Sequence, residues 1–563
     1  MKVVIVGGVA GGATAAARIR RLDENAEITI FEKSGYISYA NCGLPYYIGG
    51  EISDREELTL QTPESFNARF RVDVKVRHEV VAINPDRKTV TVRNLSGGEV
   101  FEEKYDKLVL SMGAKPIRPN LPGIDDERIF TVRNVEDTFR IKDYIDATKP
   151  ERAVVIGGGF IGIEMAENLR RLGTEVTLVE AAPQLMAPFD GDMAAFIHAE
   201  VRAAGVKLVL GGMVDGFESN GKSLGVRLKD GVTISCDMAV LAIGVAPDTA
   251  LAKDAGFELG IKGSIVVNER METSVSDVYA VGDAVQIKNF VTGKPALISL
   301  AGPANKQARI AADNICGKDS RYNGAQGSSV IKVFRLTAAA TGINERTAKS
   351  EGIDADKVIL SPMNHAGYYP GGKIMTMKVV FEKGTYRLLG AQIVGFDGVD
   401  KRIDVLATAI RAGMKVTDLT ELDLAYAPPY SSAKDPVNMA GFMAENIRDG
   451  LVGQWYYDDE PTLPRDGSVT LLDVRTAQEF ATGNIDGFVN IPVDELRERA
   501  GELDKDKPVY VICQSGLRSY IAARILAGRG FEVYNFAGGY RFYAAVVRDK
   551  LFAERSTACG KDA

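Results

Sequence analysis

The sequence lacks any run of about 18 consecutive apolar residues, the length that a membrane-spanning helix needs. At the N-terminus, residues 1–6 form a short apolar stretch with one charge, and glycines follow directly. A signal peptide would carry a longer apolar segment and a cleavage site of small residues. We therefore expect no membrane partner, and we interpret residues 1–6 as a buried first strand.

Cysteine and histidine are also scarce, with five cysteines and three histidines among 563 residues. The cysteines are widely spaced and form no Cys-x-x-Cys pair, a pattern that predicts no metal site. Secreted disulfide scaffolds are short and cysteine-dense, so a reducing cytoplasm fits this chain better. The formal net charge of −7 argues against nucleic acid as the main partner.

One signal is present twice. A β-branched strand, a glycine-rich turn, an alanine-rich helix and a second strand that ends in glutamate occur over residues 3–32 and again over residues 153–180. The duplication of such a nucleotide-binding unit indicates an α/β fold with two Rossmann-like domains and two bound dinucleotides. Further strands are expected at Lys107–Leu110 and Met238–Leu241, each followed by a glycine turn.

The second unit matches the pattern G-x-G-x-x-G in full, with the residues Gly157, Gly158, Gly159, Phe160, Ile161 and Gly162. Glycines here permit a tight turn and let backbone N–H groups approach a pyrophosphate at a helix N-terminus. Glu180 ends the next strand, where its carboxylate can accept hydrogen bonds from a ribose 2′-hydroxyl and would repel a 2′-phosphate. We assign this unit, with the later turn at Gly244, to NADH rather than NADPH.

The first unit departs from the pattern at one position, since Val9 stands where the second motif glycine is expected. Its turn comprises Gly7, Gly8, Val9, Ala10, Gly11 and Gly12. Glu32 ends the following strand, as Glu180 does in the second unit. Because the unit is N-terminal and is partnered by a later Gly282-Asp283 pair, we assign it to FAD, with Asp283 either approaching the ribityl chain or capping a helix. The expected FAD contacts also include Lys33, Asn41 and Gly113.

A single cysteine follows the first unit, in the segment Ser38-Tyr39-Ala40-Asn41-Cys42-Gly43-Leu44-Pro45-Tyr46. We expect Asn41 to cap a helix and Cys42 to lie in its first turn, where the helix dipole favours a thiolate. No second cysteine lies within five residues. Cys42 would therefore pair with an external sulfur or cycle through a sulfenic acid. The alternative is a buried structural cysteine.

The two dinucleotide units, the single-cysteine segment and two later tyrosine segments together resemble coenzyme A disulfide reductases over residues 1–447. That resemblance implies FAD and NADH as cofactors, coenzyme A as a bound substrate or cofactor, and an α+β domain that forms a homodimer. The implied coenzyme A contacts are Thr14, Arg18, Arg21, Ser38, Asn41, Lys75 and Lys434. The first three are spaced i, i+4 and i+7, so they would share one helix face, whereas the two lysines could equally be ordinary solvated side chains.

Two aromatic segments, at residues 365–370 and 426–431, lie in the implied dimerisation domain. In the resembled family a tyrosine from each segment reaches the cysteine of the other subunit, which implies Tyr368 and Tyr426 here. A phenol could orient a sulfur substrate or donate a proton to a leaving thiolate. Ordinary packing of aromatic side chains at an interface is the alternative.

A second cysteine opens a short loop near the C-terminus, Cys513-Gln514-Ser515-Gly516-Leu517-Arg518. With the segments at residues 471–475 and 487–492, this loop resembles rhodanese domains. Such a loop points several N–H groups at one sulfur and stabilises a thiolate or a persulfide anion. Arg518 would either support the loop or attract an anionic donor.

With this C-terminal region included, nearly the whole chain resembles NADH-dependent persulfide reductases. The implied boundaries are an FAD-binding domain at 1–115 and 250–326, an NADH-binding domain at 116–249, a dimerisation domain at 327–447, a linker at 448–466, an α/β rhodanese domain at 467–555 and a tail at 556–563. Residues 456–466 are expected to form a flexible tether.

The leading functional hypothesis is NADH- and FAD-dependent reduction of persulfide or polysulfide sulfur at Cys42, with release of sulfide and with Cys513 carrying sulfane sulfur. Coenzyme A disulfide is the alternative substrate. An NADH oxidase or peroxidase also uses a lone cysteine near a flavin, but it leaves the rhodanese-like region unexplained. The third hypothesis is a sulfur carrier or redox sensor that responds to NADH.

Overall fold

The structure is a computed structural model that describes residues 1–219, 221 and 223–558, with side chains described as far as residue 553. These residues form two compact units. The first comprises Met1–Pro183 and Gly205–Gly327, and the second comprises Gln184–Ala204 and the chain from Ser328 onward. Among the described residues, no helix is both long and apolar enough to cross a bilayer.

The strands and helices up to residue 180 are β1 (Lys2–Val6), α1 (Ala10–Leu22), β2 (Glu27–Glu32), α2 (Leu44–Ile48), α3 (Pro63–Phe70), β3 (Asp73–Val76), β4 (His78–Asn84), β5 (Thr89–Asn94), β6 (Val100–Lys104), β7 (Lys107–Leu110), β8 (Ala114–Pro116), β9 (Ile129–Thr131), α4 (Val135–Thr148), β10 (Arg152–Ile156), α5 (Phe160–Arg171) and β11 (Glu175–Glu180). The chain continues with α6 (Gly191–Ala203), β12 (Lys207–Leu210), β13 (Val214–Ser219), β14 (Leu224–Leu228), β15 (Thr233–Cys236), β16 (Met238–Leu241), β17 (Val245–Pro247), α7 (Ala250–Asp254), β18 (Ile265–Val266), β19 (Val278–Ala280), β20 (Val285–Lys288), β21 (Pro295–Ala296) and α8 (Ala301–Ile315).

Beyond residue 327 the elements are β22 (Ser329–Val333), β23 (Leu336–Gly342), α9 (Glu345–Ser350), β24 (Ala355–Leu360), β25 (Met375–Glu382), β26 (Leu388–Gly395), α10 (Val399–Arg411), α11 (Pro436–Arg448), β27 (Gly453–Trp455), β28 (Thr470–Asp473), α12 (Ala477–Ala481), β29 (Val489–Asn490), α13 (Leu496–Arg499), β30 (Val509–Ile512), α14 (Leu517–Ala527), β31 (Val533–Phe536) and α15 (Gly539–Ala558). Short 3-10 helices cover Asn41–Gly43, Arg55–Glu57, Ile261–Gly263, Gly282–Ala284, Val416–Glu421, Tyr457–Thr462 and Ala500–Glu502.

The first unit contains two five-stranded parallel sheets, in the orders β19-β7-β1-β2-β3 and β12-β11-β10-β16-β9. The central strands β1 and β10 each pair in parallel with a neighbour on both sides. Val3, Val4 and Ile5 are fully buried, as expected where helices cover both faces of a parallel sheet. The strands predicted at Lys107–Leu110 and Met238–Leu241 are confirmed with the same bounds. Because parallel strands end at one edge, both glycine turns open at the carboxyl edges of their sheets, where α/β folds bind ligands.

The second unit contains two separate sheets. Strands β22-β23-β26-β25-β24 form an antiparallel sheet, and β27-β31-β30-β28-β29 form a small parallel sheet. The parallel sheet buries an apolar cluster that includes Leu472, Val511 and Cys513. The Cys513 loop lies at the carboxyl end of β30, and helix α14 begins at Leu517, within the segment from Cys513 to Arg518.

Residues 184–204 differ from the sequence-based domain boundaries, because they were expected in the NADH-binding domain and belong instead to the second unit. Lys378 on β25 explains part of this placement. Its fully buried ammonium lies 2.6 Å from Asp192, 3.4 Å from Asp190 and 2.5 Å from Glu345. The three carboxylates lie close enough together to resemble a metal site, but the Lys378 ammonium already lies among them, and Glu345 also forms an ion pair with Lys357.

The expected linker at 448–466 is corrected in its central part. Strand β27 pairs in parallel with β31, and Trp455 packs against Phe536 with ring centroids 4.4 Å apart. The Tyr456 hydroxyl donates a hydrogen bond to Asp356 Oδ1 at 2.7 Å. Residues 453–456 are therefore part of the domain packing rather than of a flexible tether. The expected tail begins inside helix α15, which runs to Ala558, and its last part, residues 559–563, lies outside the described residues.

Candidate active site

The two glycine turns have the same backbone geometry. Gly7 and Gly157 have φ of +94° and +110°, in the left-handed region that favours glycine. A Cβ atom at either position would lie 2.3 Å from a backbone carbonyl oxygen. At Gly12 and Gly162 an added Cβ would lie 1.8 Å from the carbonyl oxygen of the first glycine. The first and last motif glycines are therefore required by close packing between strand, turn and helix.

Comparison of the two turns also explains why Val9 can replace the second motif glycine in the first unit. Val9 and Gly159 each precede a helix and have φ of −96° and −84°, which any residue can adopt. A Cβ at Gly159 would meet nothing within 4 Å among the described residues. Valine is therefore compatible with this turn. We call the glycine turns at residues 7–12 and 157–162 the first and second cradles, and the departure from the glycine pattern does not disturb the first cradle.

The two terminal glutamates also have matching contacts. Glu32 accepts a hydrogen bond from the Gly8 N–H at 2.8 Å, and Glu180 accepts one from the Gly158 N–H at 2.6 Å. Each carboxylate thus lies beside the glycine turn that precedes its own helix. A ribose held over that turn would meet this carboxylate, so both cradles fit a dinucleotide.

The remaining predicted cofactor contacts lie around these cradles. Gly113, Gly244 and Gly282 all have positive φ, as expected for turns at strand ends. Asp283 lies inside a 3-10 helix whose N-cap is Val281, and its carboxylate lies 3.3 Å from Arg133. The capping alternative for Asp283 is therefore not observed, and its contact with the ribityl chain stays a prediction. Lys33 is exposed and lies 3.1 Å from Asp248.

The Cys42 segment is attached directly to the first cradle. The Ser38 N–H donates a hydrogen bond to the Gly8 carbonyl at 2.9 Å, and Ser38 itself has φ of +44°. A non-glycine residue in this region carries backbone strain, which is frequent at functional sites. Four residues later the Cys42 side chain is exposed.

The predicted cap at Asn41 is wrong. Asn41 begins a 3-10 helix whose N-cap is Ala40 and which has no side-chain cap, and α2 starts two residues after Cys42. Because α2 has five residues, its dipole is weak, and Cys42 does not lie in its first turn. Partial burial raises the pKa of the Cys42 thiol, and the charges of Glu164 and Asp283 raise it further. The expected stabilisation of the thiolate by a helix is thus not found.

Glu164 is a residue that the sequence analysis missed. It lies on α5, two residues after the last motif glycine, and accepts a hydrogen bond from the Tyr46 hydroxyl at 3.3 Å. Burial, together with a smaller effect of the nearby Glu167 charge, raises the pKa of Glu164 to about 7 despite this hydrogen bond. Helix α5 therefore carries both the end of the second glycine turn and an acid that raises the pKa of Cys42. A charged residue so close after the glycine pattern was the available signal.

The predicted coenzyme A contacts have different surroundings. The Thr14 hydroxyl donates to Asn305 at 2.6 Å, and Arg18 forms an ion pair with Asp313 at 2.7 Å, so both face α8. Arg18 is therefore already neutralised. The exposed predicted residues are Arg21, Asn41 and Lys434, and the partly exposed ones include Lys75, which lies 3.5 Å from Asp73. Assignment of this set to coenzyme A stays a prediction.

The two predicted tyrosines are brought together in the second unit. The hydroxyls of Tyr368 and Tyr426 lie 2.8 Å apart, within hydrogen-bonding distance. Tyr368 is 77% exposed and Tyr426 is 45% exposed. The hydrogen bond to Tyr368 raises the pKa of Tyr426, so this phenol stays a proton donor at neutral pH. Two large exposed aromatic side chains with paired hydroxyls fit a surface that meets a partner.

The Cys513 loop forms the predicted cradle. Cys513 is fully buried, and its Sγ accepts hydrogen bonds from the Gly516 N–H at 3.1 Å and the Ser519 hydroxyl at 3.2 Å. Gly516 has φ of +100°, a conformation that turns its N–H toward the sulfur. The loop thus directs two donors at one sulfur atom.

Arg518 has a supporting role in this loop. Its two terminal nitrogens each donate to a different oxygen of Glu479 at 2.7 Å, a bidentate pair. Arg518 holds the pKa of Glu479 near 2. Of the two alternatives from the sequence, these contacts favour support of the loop over capture of a free anion.

Comparisons with known proteins identify the family. Residues 1–308 match the pyridine nucleotide-disulphide oxidoreductase family, and residues 328–436 match its dimerisation domain. The chain belongs to this family. Residues 462–545 match the rhodanese-like domain. Oxidoreductases of this family use FAD and NAD(H), so the two predicted cofactors and the predicted fold class are confirmed, whereas the assignment of each cofactor to one glycine unit stays a prediction.

Individual relatives cover most of the chain. Coenzyme A disulfide reductase of Staphylococcus aureus strain JH9 is 39% identical over 445 residues, 79% of this chain and 100% of that protein. The crystal structure of reduced Bacillus anthracis CoADR-RHD is 51% identical, with a TM-score of 0.95 over 97% of this chain and 98% of that one. An NAD-dependent persulfide reductase from A. fulgidus is 39% identical, with a TM-score of 0.90 over 96% and 100% of the respective chains.

Proposed function

We propose that this oxidoreductase reduces persulfide or polysulfide sulfur at Cys42 with electrons from NADH, and that its rhodanese domain carries sulfane sulfur on Cys513. The observation that supports it most directly is an exposed cysteine on a segment that is hydrogen-bonded to the first glycine cradle. Such a thiol is accessible to an external sulfur compound. The appended Cys513 cradle favours a substrate with sulfane sulfur.

The chain's own residues have defined parts in this reaction. The first cradle and Glu32 would hold FAD, and the second cradle and Glu180 would hold NADH. The Cys42 thiolate attacks the inner sulfur of a persulfide R–S–SH, so that HS⁻ leaves and a Cys42–S–S–R disulfide forms. When bound, FAD and NADH supply the two electrons that restore the Cys42 thiolate and release RS⁻. Protons for both leaving sulfur anions must come from acids near the site.

Two groups are suited to handle those protons. Glu164, with a pKa of about 7, is partly protonated at neutral pH. The Tyr368–Tyr426 pair offers phenol donors on the domain that matches the family's dimerisation domain. We propose that the tyrosines serve the cysteine of a partner subunit in a homodimer. Light scattering at assay concentration tests this, since a fully active monomer would contradict it.

An anaerobic assay tests the proposed reaction. NADH oxidation and sulfide release are followed with a small persulfide, coenzyme A persulfide and coenzyme A disulfide as separate substrates. Sulfide formed in proportion to NADH supports persulfide reduction, whereas faster turnover of coenzyme A disulfide, without sulfide, favours the alternative substrate. If NADH is consumed at a useful rate with oxygen or peroxide alone, the enzyme is an oxidase or peroxidase and the proposal fails.

Preference for NADH is a separate proposal that rests on Glu180. Its carboxylate beside the Gly158 turn would repel a 2′-phosphate. We expect kcat/KM to be much higher with NADH than with NADPH, and Glu180→Ala to narrow this difference. Similar kcat/KM values for the two cofactors in the wild-type enzyme would contradict the assignment.

Transfer of sulfur from Cys513 to Cys42 is a further part of the proposal. Cys513→Ser should lose sulfide production from bulky or protein-bound persulfides, while small persulfides that reach Cys42 directly are still reduced. Wild-type rates on both kinds of donor would show that the two sites work independently. Because residues 453–456 pair and pack within the second unit, such transfer cannot depend on the full flexible tether expected from the sequence.

A further inference from the structure

Tyr368 and Tyr426 lie on two separate loops of the second unit. The first tyrosine loop comprises residues 361–374, between β24 and β25, and the second tyrosine loop comprises residues 422–435, directly before α11. The two tyrosines are 58 positions apart in the sequence, and both are exposed. Exposed side chains on loops have many alternative conformations. A hydrogen bond between these two hydroxyls therefore requires that groups inside the domain fix both loops.

Arg402, on α10, supplies a buried link between the two loops. Its side chain is 1% exposed, and its Nη2 donates to the Asn364 carbonyl of the first tyrosine loop at 2.8 Å. The same nitrogen lies 3.3 Å from the Tyr430 carbonyl and 3.1 Å from the Ser431 hydroxyl, both in the second tyrosine loop. The loops also meet directly, since the Ala366 N–H donates to the Ser431 carbonyl at 2.9 Å. One guanidinium nitrogen thus shares its two hydrogens between both tyrosine loops.

The position of the Arg402 guanidinium is itself fixed. Asp435, at the end of the second tyrosine loop, lies 3.1 Å from Nη2 and accepts a hydrogen bond from the Ser431 hydroxyl at 2.7 Å. Gly398, one turn earlier on the chain, has φ of +70°, and an added Cβ there would lie 2.3 Å from Nη1. The carboxylate and the space at the glycine together hold the guanidinium between the loops, as expected for a buried ion pair with additional hydrogen bonds.

We propose that Arg402 is a positioning residue for the tyrosine pair, because it links the two loops and so holds the Tyr368 and Tyr426 hydroxyls 2.8 Å apart. This inference rests on the proposed function of the tyrosines and adds to it the group that keeps them paired. Arg402 is buried, so it acts through the tyrosines and not by contact with a substrate. Pairing is useful to the reaction because a phenol held in place is a better proton donor than a freely rotating one.

The experiment uses Arg402→Lys in the full-length holoenzyme. Lysine keeps a cation beside Asp435 but lacks the planar fork that reaches both loops. We expect kcat for NADH-dependent reduction of a small persulfide to fall about tenfold or more, since misplacement of a reacting group has effects of this size. The KM for NADH and the FAD content should stay within about twofold of wild type. Wild-type kcat in folded Arg402→Lys would overturn the proposal.

A double-mutant cycle separates positioning from a merely structural role. Tyr368→Phe and Tyr426→Phe together remove both hydroxyls, and in that background Arg402→Lys should change kcat less than about twofold. An equal loss with and without the hydroxyls would show that Arg402 only supports the fold, and the proposal would be wrong. If the double phenylalanine variant reduces persulfides at the wild-type rate, the proposed function of the tyrosines fails, and the positioning role fails with it.

The pH profile gives a readout that a loss of stability does not move. The hydrogen bond to Tyr368 raises the pKa of Tyr426, so this phenol stays protonated to a higher pH than an isolated tyrosine. When Arg402→Lys separates the hydroxyls, the pKa should fall toward the ordinary tyrosine value of about 10. The decline of kcat at alkaline pH should then begin at lower pH than in wild type. An identical alkaline decline in the two proteins would contradict the positioning role.

Two further variants complete the test. Ser431→Ala removes one acceptor of the link but keeps the Arg402–Asp435 ion pair, so it decides the question if Arg402→Lys does not fold. It should lower kcat severalfold only while the tyrosine hydroxyls are present, and an unchanged kcat would overturn the proposal. Arg411→Lys makes the same exchange at the last residue of α10 and should leave both kcat and the pH profile unchanged. An equal effect of Arg411→Lys would show that the response is not specific to the link.

Discussion

Cys42 lies in a short 3-10 helix and Cys513 in the loop directly after β30. Both are isolated cysteines, yet their surroundings are opposite. Cys42 is exposed, and partial burial of its thiol together with two nearby carboxylates raises its pKa. Cys513 is fully buried, and two hydrogen-bond donors point at its sulfur. The first environment disfavours negative charge on sulfur, whereas the second supplies donors for it.

This difference matches two kinds of sulfur chemistry. A cysteine that accepts sulfane sulfur must hold a persulfide anion, so fixed donors around it are useful. A cysteine that is reduced at each turnover must release its partner sulfur, and acids near it can supply protons to the leaving group. The comparison indicates that the immediate neighbours of each sulfur determine how well it carries negative charge.

The largest expected effect separates the two cysteines by substitution. Cys42→Ser should lower NADH-dependent persulfide reduction by about a thousandfold or more, since it removes the nucleophile. It should leave unchanged the transfer of sulfane sulfur through Cys513 to cyanide, which is measured as thiocyanate formation. Cys513→Ser should abolish thiocyanate formation and leave reduction of small persulfides intact. Cys316→Ser, at a partly exposed cysteine outside both sites, is the control. If Cys42→Ser or Cys513→Ser loses both activities, the two cysteines do not have separate roles.

A smaller effect is expected from the donors around Cys513. Ser519→Ala removes the hydroxyl that donates to Sγ and should slow sulfur transfer about five- to thirtyfold, equivalent to about 1–2 kcal/mol. Reduction at Cys42 should not change. Ser515→Ala, in the same loop, serves as the matched control for thiocyanate formation. A normal transfer rate in Ser519→Ala would show that the hydroxyl does not stabilise the reacting sulfur.

The next prediction concerns Glu164, the acid near Cys42, whose negative charge disfavours a thiolate, whereas the donors around Cys513 favour one. As pH rises through about 7, Glu164 ionises, and its negative charge raises the pKa of Cys42. Glu164→Gln removes that charge, so the pKa of Cys42 should fall, and iodoacetamide should react severalfold faster with Cys42 near neutral pH. Glu167→Gln, on the same helix, should shift the Cys42 profile less. An unchanged profile in Glu164→Gln would contradict the electrostatic account.

The smallest expected effect concerns support of the Cys513 loop. Glu479 has its pKa lowered to about 2 by Arg518, so this pair stabilises the fold fully above about pH 4.5, and the contribution is lost as pH falls toward 2. Since both side chains are about one-third exposed, we expect Glu479→Gln to cost no more than about 1 kcal/mol in urea unfolding at pH 7. A destabilisation that persists undiminished at pH 2 would exclude the ion pair as its cause.

The sequence by itself predicted the repeated fold and most of the chemistry. Residue spacing is sufficient to predict local structure where the backbone conformation requires a particular residue, as at Gly7 and Gly157. It is also sufficient where a strand is buried on both faces, as at Lys107–Leu110. It also located Cys42 and the Cys513 loop, because a lone cysteine after a nucleotide unit and a cysteine-to-arginine loop before a helix are local patterns.

Tertiary structure alone decided the features that depend on residues far apart in the chain. Glu164 lies 122 positions from Cys42 in the sequence, Arg18 is neutralised by Asp313, and Tyr456 bonds to Asp356 rather than lying in a flexible linker. No local pattern specifies such pairs, because charge and burial at a side chain depend on whatever the fold brings beside it. Local spacing therefore determined where the proposed sulfur chemistry lies, and long-range packing determined the charge and the hydrogen bonds that each sulfur meets.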